Sequence, residues 1–215
     1  MAILKLYSSS VTACTRRTAT VLHELKIPFE LIEVDVLSGA HKTPEFLKFQ
    51  PFGQVPYIDD DGFILYESRA ICRYVAAKHP RSGLIPTDPK ANALFEQATS
   101  IELTNFEPSA GKAGLPFYLK KLGWRDDLTD VPANLEILDK KLDAYEAILS
   151  KQRYLAGDTL TLADLFHLPY AGFVSLGSDI MTRPNRPNVA RWYNELVSRP
   201  AWLAYQDGVK TTTEY

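Results

Sequence analysis

The stretch from Pro51 to Arg73 reads PFGQVPYIDDDGFILYESRAICR and holds a turn, a hairpin and the start of a helix, in that order. Phe52 and Gly53 end one segment, and Gln54-Val55-Pro56 leads into a short strand, Tyr57 to Asp59. The Asp-Asp-Gly turn then reverses the chain into a second strand, Phe63 to Tyr66, because glycine accepts the positive φ that a tight hairpin needs. Glu67 and Ser68 follow at once, and a helix runs on through Ala70, Ile71, Tyr74 and Val75. Two of these features point to a ligand. A proline that opens a strand removes a ladder donor, so Val55 keeps backbone groups for a bound, extended peptide. A helix that begins at Ser68 and Arg69 presents unpaired N–H groups, a seat for a carboxylate.

Upstream, Ile3 to Tyr7 alternates as a strand, Ser8 to Ser10 form a turn, and Thr12 caps a helix predicted to reach about Leu25. Phe29 to Val36 is the next strand, and Gly39 to Gln50 is a loop with a short helix. The resulting order, β-α-β-(α)-β-β-α, is that of a thioredoxin-like α/β domain with a mixed sheet, its first strands parallel and its hairpin antiparallel. Downstream, HPRSGLIP has two prolines, a glycine and no periodicity, as a linker would. The expected division is therefore a thioredoxin-like domain over 1–79, a linker over 80–87 and an all-α helical-bundle domain over 88–215.

In the helical part, Asp88-Pro89 supplies an N-cap and a proline at the first helical position. Leu94, Ala98, Ile101 and Asn105 continue at helical spacing, whereas Phe106 to Asp130, with three glycines, reads as irregular. Pro132 opens another helix marked by Leu135, Leu138, Leu142 and Tyr145. Thr161-Leu162-Ala163-Asp164 is a capping box with aspartate in place of glutamate, flanked by Leu160 and Leu165 as a hydrophobic staple. Its expected role is to nucleate a central helix, which Pro169 should kink. Two more helices are predicted, from Pro187 to about Val197 and from Pro200 to about Gln206.

Composition narrows the function classes. The chain has 215 residues, of which 46% are hydrophobic and 23% charged, an ordinary globular balance. A formal charge of −2 gives no electrostatic footprint for nucleic acid. Lys5 interrupts the apolar run of MAILKLYSSS, which reads as a strand and not as a signal peptide. The longest apolar tract, Leu160 to Gly177, carries Asp164, His167 and Pro169, so it is expected to be a buried helix and no membrane span. Cys14 and Cys72 have no CxxC partner and make no disulfide framework, which fits a reducing cytoplasm.

The string QPFGQVP…DGFILYESRAI resembles the glutathione site of glutathione S-transferases, and the AHK upstream resembles the phi class in its fungal or plant-like form. The resemblance is dense over the first 80 residues and thinner through ADLFHLPYAGF and NVARWYNELVSRPAW. It implies a cytoplasmic glutathione transferase (EC 2.5.1.18) that acts in detoxification. It also implies a homodimer with glutathione as co-substrate, small hydrophobic electrophiles as second substrates, a peroxidase side activity and no metal. A non-catalytic carrier or interaction protein of the same fold is the alternative.

Such an enzyme must turn the glutathione thiol into a thiolate, the reactive nucleophile. That requires a hydroxyl donor at the start of the first helix, where Ser8, Ser9, Ser10, Thr12 and Thr15 are the candidates. The phi-class pattern S-x-x-T-R-R, laid on TACTRRTATVL, puts Thr12 where the family has serine, with Ser10 as the substitute. Threonine keeps the donor but adds a methyl and a stiffer χ1. Cys14 invites a thiol-transferase reading, but it stands two residues later than the cysteine of such relatives and lacks the following proline.

The resemblance further implies that His41 and Lys42 meet the glycine carboxylate of glutathione. Gln54 and Val55 would bind its backbone beside a cis Pro56. Glu67 would face the γ-glutamyl ammonium, with Ser68 on the carboxylate and Arg69 serving the dimer or the helix frame. An electrophile pocket is expected between the domains, walled by Val11, Phe106, Phe117 and Tyr118, although the same aromatics also suit a plain core.

Overall fold

Asp61 and Gly62 both take positive φ, 55° and 88°, and close a two-residue hairpin loop whose twist matches the flanking strands. Asp59 Oδ1 accepts from Gly62 N–H at 2.7 Å across that loop. The structure, a computed structural model, describes residues 3–215. Its first elements are β1 (Leu4–Ser8), α1 (Ala13–Glu24), β2 (Phe29–Glu33), a 3₁₀ turn (Ala40–Lys42), α2 (Pro44–Leu47), β3 (Tyr57–Asp60), β4 (Phe63–Tyr66) and α3 (Ser68–Ala77). The sheet runs β2-β1-β3-β4, with β1 and β2 parallel and the other pairs antiparallel. This is the mixed thioredoxin-like sheet that the sequence predicts. Only β2 is shorter than expected, because the chain leaves the ladder after Glu33.

The chain divides into two compact units, one through Ser82 together with Pro200–Tyr215, the other Gly83–Arg199. The last residues thus belong with the sheet and not with the helical domain expected over 88–215. The physical reason is an edge to be covered. Phe29 N–H donates to Thr212 O at 2.8 Å, Thr212 N–H returns a bond to Phe29 O at 3.0 Å, and Leu31 N–H donates to Thr211 Oγ1 at 3.0 Å. The tail so pairs with the open side of β2, and Val209 N–H continues it onto Ser10 O at 2.9 Å.

The second unit contains α4 (Pro89–Ile101), a π-helical turn (Glu102–Phe106), α5 (Glu107–Lys121), α6 (Val131–Leu149), α7 (Leu162–Val174) and α8 (Pro187–Val197). A short α9 (Pro200–Leu203) then packs on α1 within the first unit. Helix α5 corrects the expectation of irregular chain after Phe106. Its glycines are contact points: a Cβ at Gly114 would lie 2.8 Å from Val174 N, and one at Gly111 would touch the Tyr170 ring. Close approach to α7, not chain breaking, is what Gly114 requires, whereas a Cβ at Gly111 would make ordinary contact. The capping box forms as predicted. Buried Asp164 accepts from Thr161 N–H at 3.0 Å with one oxygen, and from Leu155 N–H and Trp192 Nε1–H, each at 3.0 Å, with the other. Among the described residues no helix is long and apolar enough to cross a membrane.

Candidate active site

The turn after β1 and the first residues of α1 carry the hydroxyls. Thr12 is the N-cap of α1, with extended backbone and its side chain accepting from Thr15 N–H at 3.3 Å, as its sequence context predicts. Its hydroxyl is half-buried and lies 2.5 Å from Thr15 Oγ1. Thr15 is fully buried and donates to Ser9 O at 2.7 Å, and Ser8, also buried, hydrogen-bonds the same Thr15 oxygen. Ser10 is placed differently. Its N–H meets both Glu33 carboxylate oxygens at 3.1 Å, and its Oγ faces Glu33 Oε1 at 3.4 Å.

A second group of candidates comes from α3. Glu67 is its N-cap at φ 70° and ψ 108°, a left-handed conformation that costs a non-glycine residue about 1–3 kcal/mol. Ser68, buried, is the first helical residue and brings its hydroxyl beneath the helix N-terminus. The sequence reading assigned no role here to Arg17. It is fully buried, and its Nη1 donates to Ser68 Oγ at 3.0 Å and to Cys14 Sγ at 3.6 Å. Arg17 therefore joins the first turn of α1 to the start of α3. Nothing in the spacing of TACTRR singles out Arg17, since Arg16 beside it is buried as well.

The remaining candidates lie before and after α2. Phe46 of α2 packs edge-on against Tyr57 with ring centroids 5.2 Å apart, in a cluster with Val34, and so anchors the preceding His41-Lys42 turn to the sheet. Gly53, at φ 59°, lies so close to that turn that a Cβ would sit 2.7 Å from Lys42 Cδ and 2.9 Å from His41 O. Lys42 Nζ donates to Phe52 O at 3.2 Å, while the buried Nδ1 atom of His41 has no hydrogen-bond partner among the described residues. Gln50, another residue the sequence reading did not single out, is buried and accepts from Gln54 N–H at 3.1 Å, holding the turn that presents Val55. The Val55–Pro56 bond is cis. Thr12, His41, Lys42, Gln54, Val55, Pro56, Glu67 and Ser68 all belong to the first unit, as do Ser10 and Val11.

The aromatic candidates fall elsewhere. Phe106 is fully buried against the His167 and Tyr145 rings at 4.7 and 6.0 Å, and Tyr118 stacks on Phe173 at 4.0 Å. Both rings have the burial and ring partners of core residues, and Phe117 is half-buried. Burial pushes the Cys72 thiol up to about 12, with the nearby arginine charges opposing the shift, so this cysteine is inert at neutral pH.

The family model described as "Glutathione S-transferase, N-terminal domain" matches residues 2–77, and "Glutathione S-transferase, C-terminal domain" matches residues 106–200. The chain belongs to the glutathione S-transferase family. It is 42% identical over 207 residues to glutathione S-transferase hmp2 of Hypomyces subiculosus, covering 94% of this chain and 96% of that relative. Glutathione S-transferase F13 of Arabidopsis thaliana is 40% identical over 210 residues, covering 96% of each. The crystal structure of glutathione transferase F2 from Populus trichocarpa superposes with a TM-score of 0.87 at 36% identity, covering 95% of this chain and 97% of that one. The phi-class resemblance read from the sequence stands with these relatives.

Proposed function

We propose that this glutathione transferase activates the thiol of glutathione through the Thr12 hydroxyl. The observation that carries the reading is the contrast at the start of α1. Thr12 is a half-buried N-cap at the helix terminus, whereas the Ser10 hydroxyl faces the Glu33 carboxylate. A free thiol titrates near pH ~8.5, so little thiolate exists at neutral pH. A hydroxyl that donates to the sulfur anion stabilises it by roughly 1.5–3 kcal/mol, which lowers the thiol pKa by about one to two units. The positive end of α1 acts in the same sense. The thiol proton leaves to solvent. The sulfur lone pair then forms a C–S bond to an electrophilic carbon, whose leaving group departs with its bonding electrons.

In this reading the co-substrate lies extended along Val55 and is held at both ends. His41 and Lys42 take the glycine carboxylate, where the unpartnered His41 Nδ1 supplies a donor or acceptor. Glu67 and Ser68 take the γ-glutamyl end, with the helix terminus of α3 behind the carboxylate. The protein acts in the cytoplasm as a homodimer. Exposed Phe49 and Phe52, beside the hairpin, are the candidate aromatic plug. The experiment is retention on immobilised glutathione, followed by conjugation of a generic aromatic halide. Retention with turnover supports the transferase. Retention with no turnover of any electrophile, in wild type and in Thr12→Ser alike, returns the carrier reading.

A further inference from the structure

The protons of three clustered hydroxyls, those of Ser8, Thr12 and Thr15, can be assigned by counting. A hydroxyl has one proton to donate and two lone pairs to accept with. Thr15 Oγ1 lies 2.7 Å from the Ser9 carbonyl, which can only accept, so the Thr15 proton points at Ser9. Thr15 Oγ1 must then accept from both of its other neighbours, Ser8 Oγ and Thr12 Oγ1. The Thr12 proton is therefore aimed at Thr15 Oγ1, 2.5 Å away. If Thr12 turns that proton outward, two oxygens would face each other at the same short distance with no proton between them.

We propose that Thr15 is a positioning residue for Thr12: when an anionic sulfur arrives, the Thr15 proton swings from the Ser9 carbonyl to Thr12 Oγ1, freeing the Thr12 proton for the sulfur. The rearrangement leaves no polar group without a partner. The Ser9 carbonyl keeps the Thr12 backbone N–H, at 3.2 Å. Thr15 still accepts from Ser8, and Thr12 Oγ1 accepts from the Thr15 hydroxyl and the Thr15 N–H. No bond to hydrogen breaks; two hydroxyls rotate. The bound state is a chain, Ser8 to Thr15 to Thr12 to sulfur, in which each donation polarises the next. A bulkier or non-donating residue at position 15 would leave Thr12 as an isolated donor.

This inference rests on Thr12 being the thiolate donor, and the test separates the two claims. The full-length protein is measured as wild type, Thr12→Val, Thr15→Val, Thr15→Ser and the Thr12→Val/Thr15→Val double variant. Two readouts are taken across pH: conjugation rate with an aromatic halide, and the ultraviolet thiolate absorbance of bound glutathione. Chain polarisation is a fraction of one hydrogen bond, so Thr15→Val is expected to raise the bound thiol pKa by about half a unit and slow neutral-pH turnover about threefold. Thr15→Ser should match wild type. The double variant should match Thr12→Val alone, because residues acting in one chain are not additive. Full additivity, or a silent Thr15→Val beside an active Thr12→Val effect, overturns the relay only. A silent Thr12→Val overturns both claims. Should Thr15→Val not fold, neutron diffraction of the wild-type glutathione complex reads the Thr15 deuteron directly: on Thr12 Oγ1 it supports the relay, on Ser9 O it refutes it.

Discussion

Arg17 Nη1 donates to Ser68 Oγ at 3.0 Å, so α1, which Thr12 caps, and α3, which Ser68 opens, are joined through one buried guanidinium. With Arg17 as donor, the Ser68 oxygen acts as acceptor toward the protein and keeps its own proton for a ligand carboxylate. Arg17→Met removes that donor and the one to Cys14. Glutathione affinity should fall about five- to thirtyfold, roughly 1–2 kcal/mol, with a parallel loss of stability. Arg17→Lys should rescue little, because an ammonium lacks the planar fork. Titration calorimetry and urea unfolding check both; unchanged affinity in Arg17→Met would remove Arg17 from the site.

The two residues at the start of α3 should separate in their effects. Ser68→Ala is expected to weaken glutathione binding by about 1 kcal/mol, and Glu67→Ala by more, since it leaves the ligand ammonium unpaired. Glu67→Gly adds a second signature. It relieves the φ of 70° and should raise the unfolding free energy by about 1 kcal/mol while still losing affinity. Strain at this position then belongs to binding and not to folding. Calorimetry showing wild-type affinity in all three variants would mean the γ-glutamyl site lies elsewhere.

Around the sulfur, Thr12→Val keeps shape and removes the donor, so the bound thiol pKa should rise by about one to two units. At neutral pH the conjugation rate falls about ten- to a hundredfold, one decade per unit, and the loss shrinks as pH rises through the new pKa. Thr12→Ser should be as active as wild type or more so, since it restores the family's residue with a freer χ1. Ser10→Ala should change little because its hydroxyl faces Glu33. Cys14→Ser should leave conjugation near wild type, whereas abolished activity there would turn the reading toward a thiol-transferase.

In the helical unit, Asp164 is the stability counterpart. Burial pushes its carboxyl pKa upward, opposed by the donors from Leu155, Thr161 and Trp192. Asp164→Ala would strand three buried N–H donors, Leu155 N–H, Thr161 N–H and Trp192 Nε1–H. At about 1–3 kcal/mol for each unsatisfied group, the loss should reach at least 3 kcal/mol. Thermal unfolding measures it. A loss below 1 kcal/mol would show that water replaces the carboxylate.

Much of this protein is local chemistry, and local chemistry is legible in a linear sequence. The Asp61-Gly62 loop, the Thr12 and Asp88 caps and the Thr161–Asp164 box each depend on residues within three or four positions of one another, and each forms where the sequence places it. The string from Gln50 to Ile71 likewise keeps the residues proposed for glutathione on one hairpin and one helix start, so they can be picked out from the sequence. Tertiary packing decided the rest. Whether Gly111 and Gly114 break a helix or let two helices touch depends on what lies opposite, and Tyr170 and Val174 lie opposite. Phe106 and Tyr118 look alike as pocket walls or core until their ring partners, His167 and Phe173, are known. Arg17 reaches Ser68 across 51 residues of sequence, and the tail covers β2 across more than that. The direction of the Thr12 proton is set by a carbonyl and two other hydroxyls that converge only when strand and helix meet. Such contacts are chosen by which faces pack together, and no spacing along the chain encodes that choice.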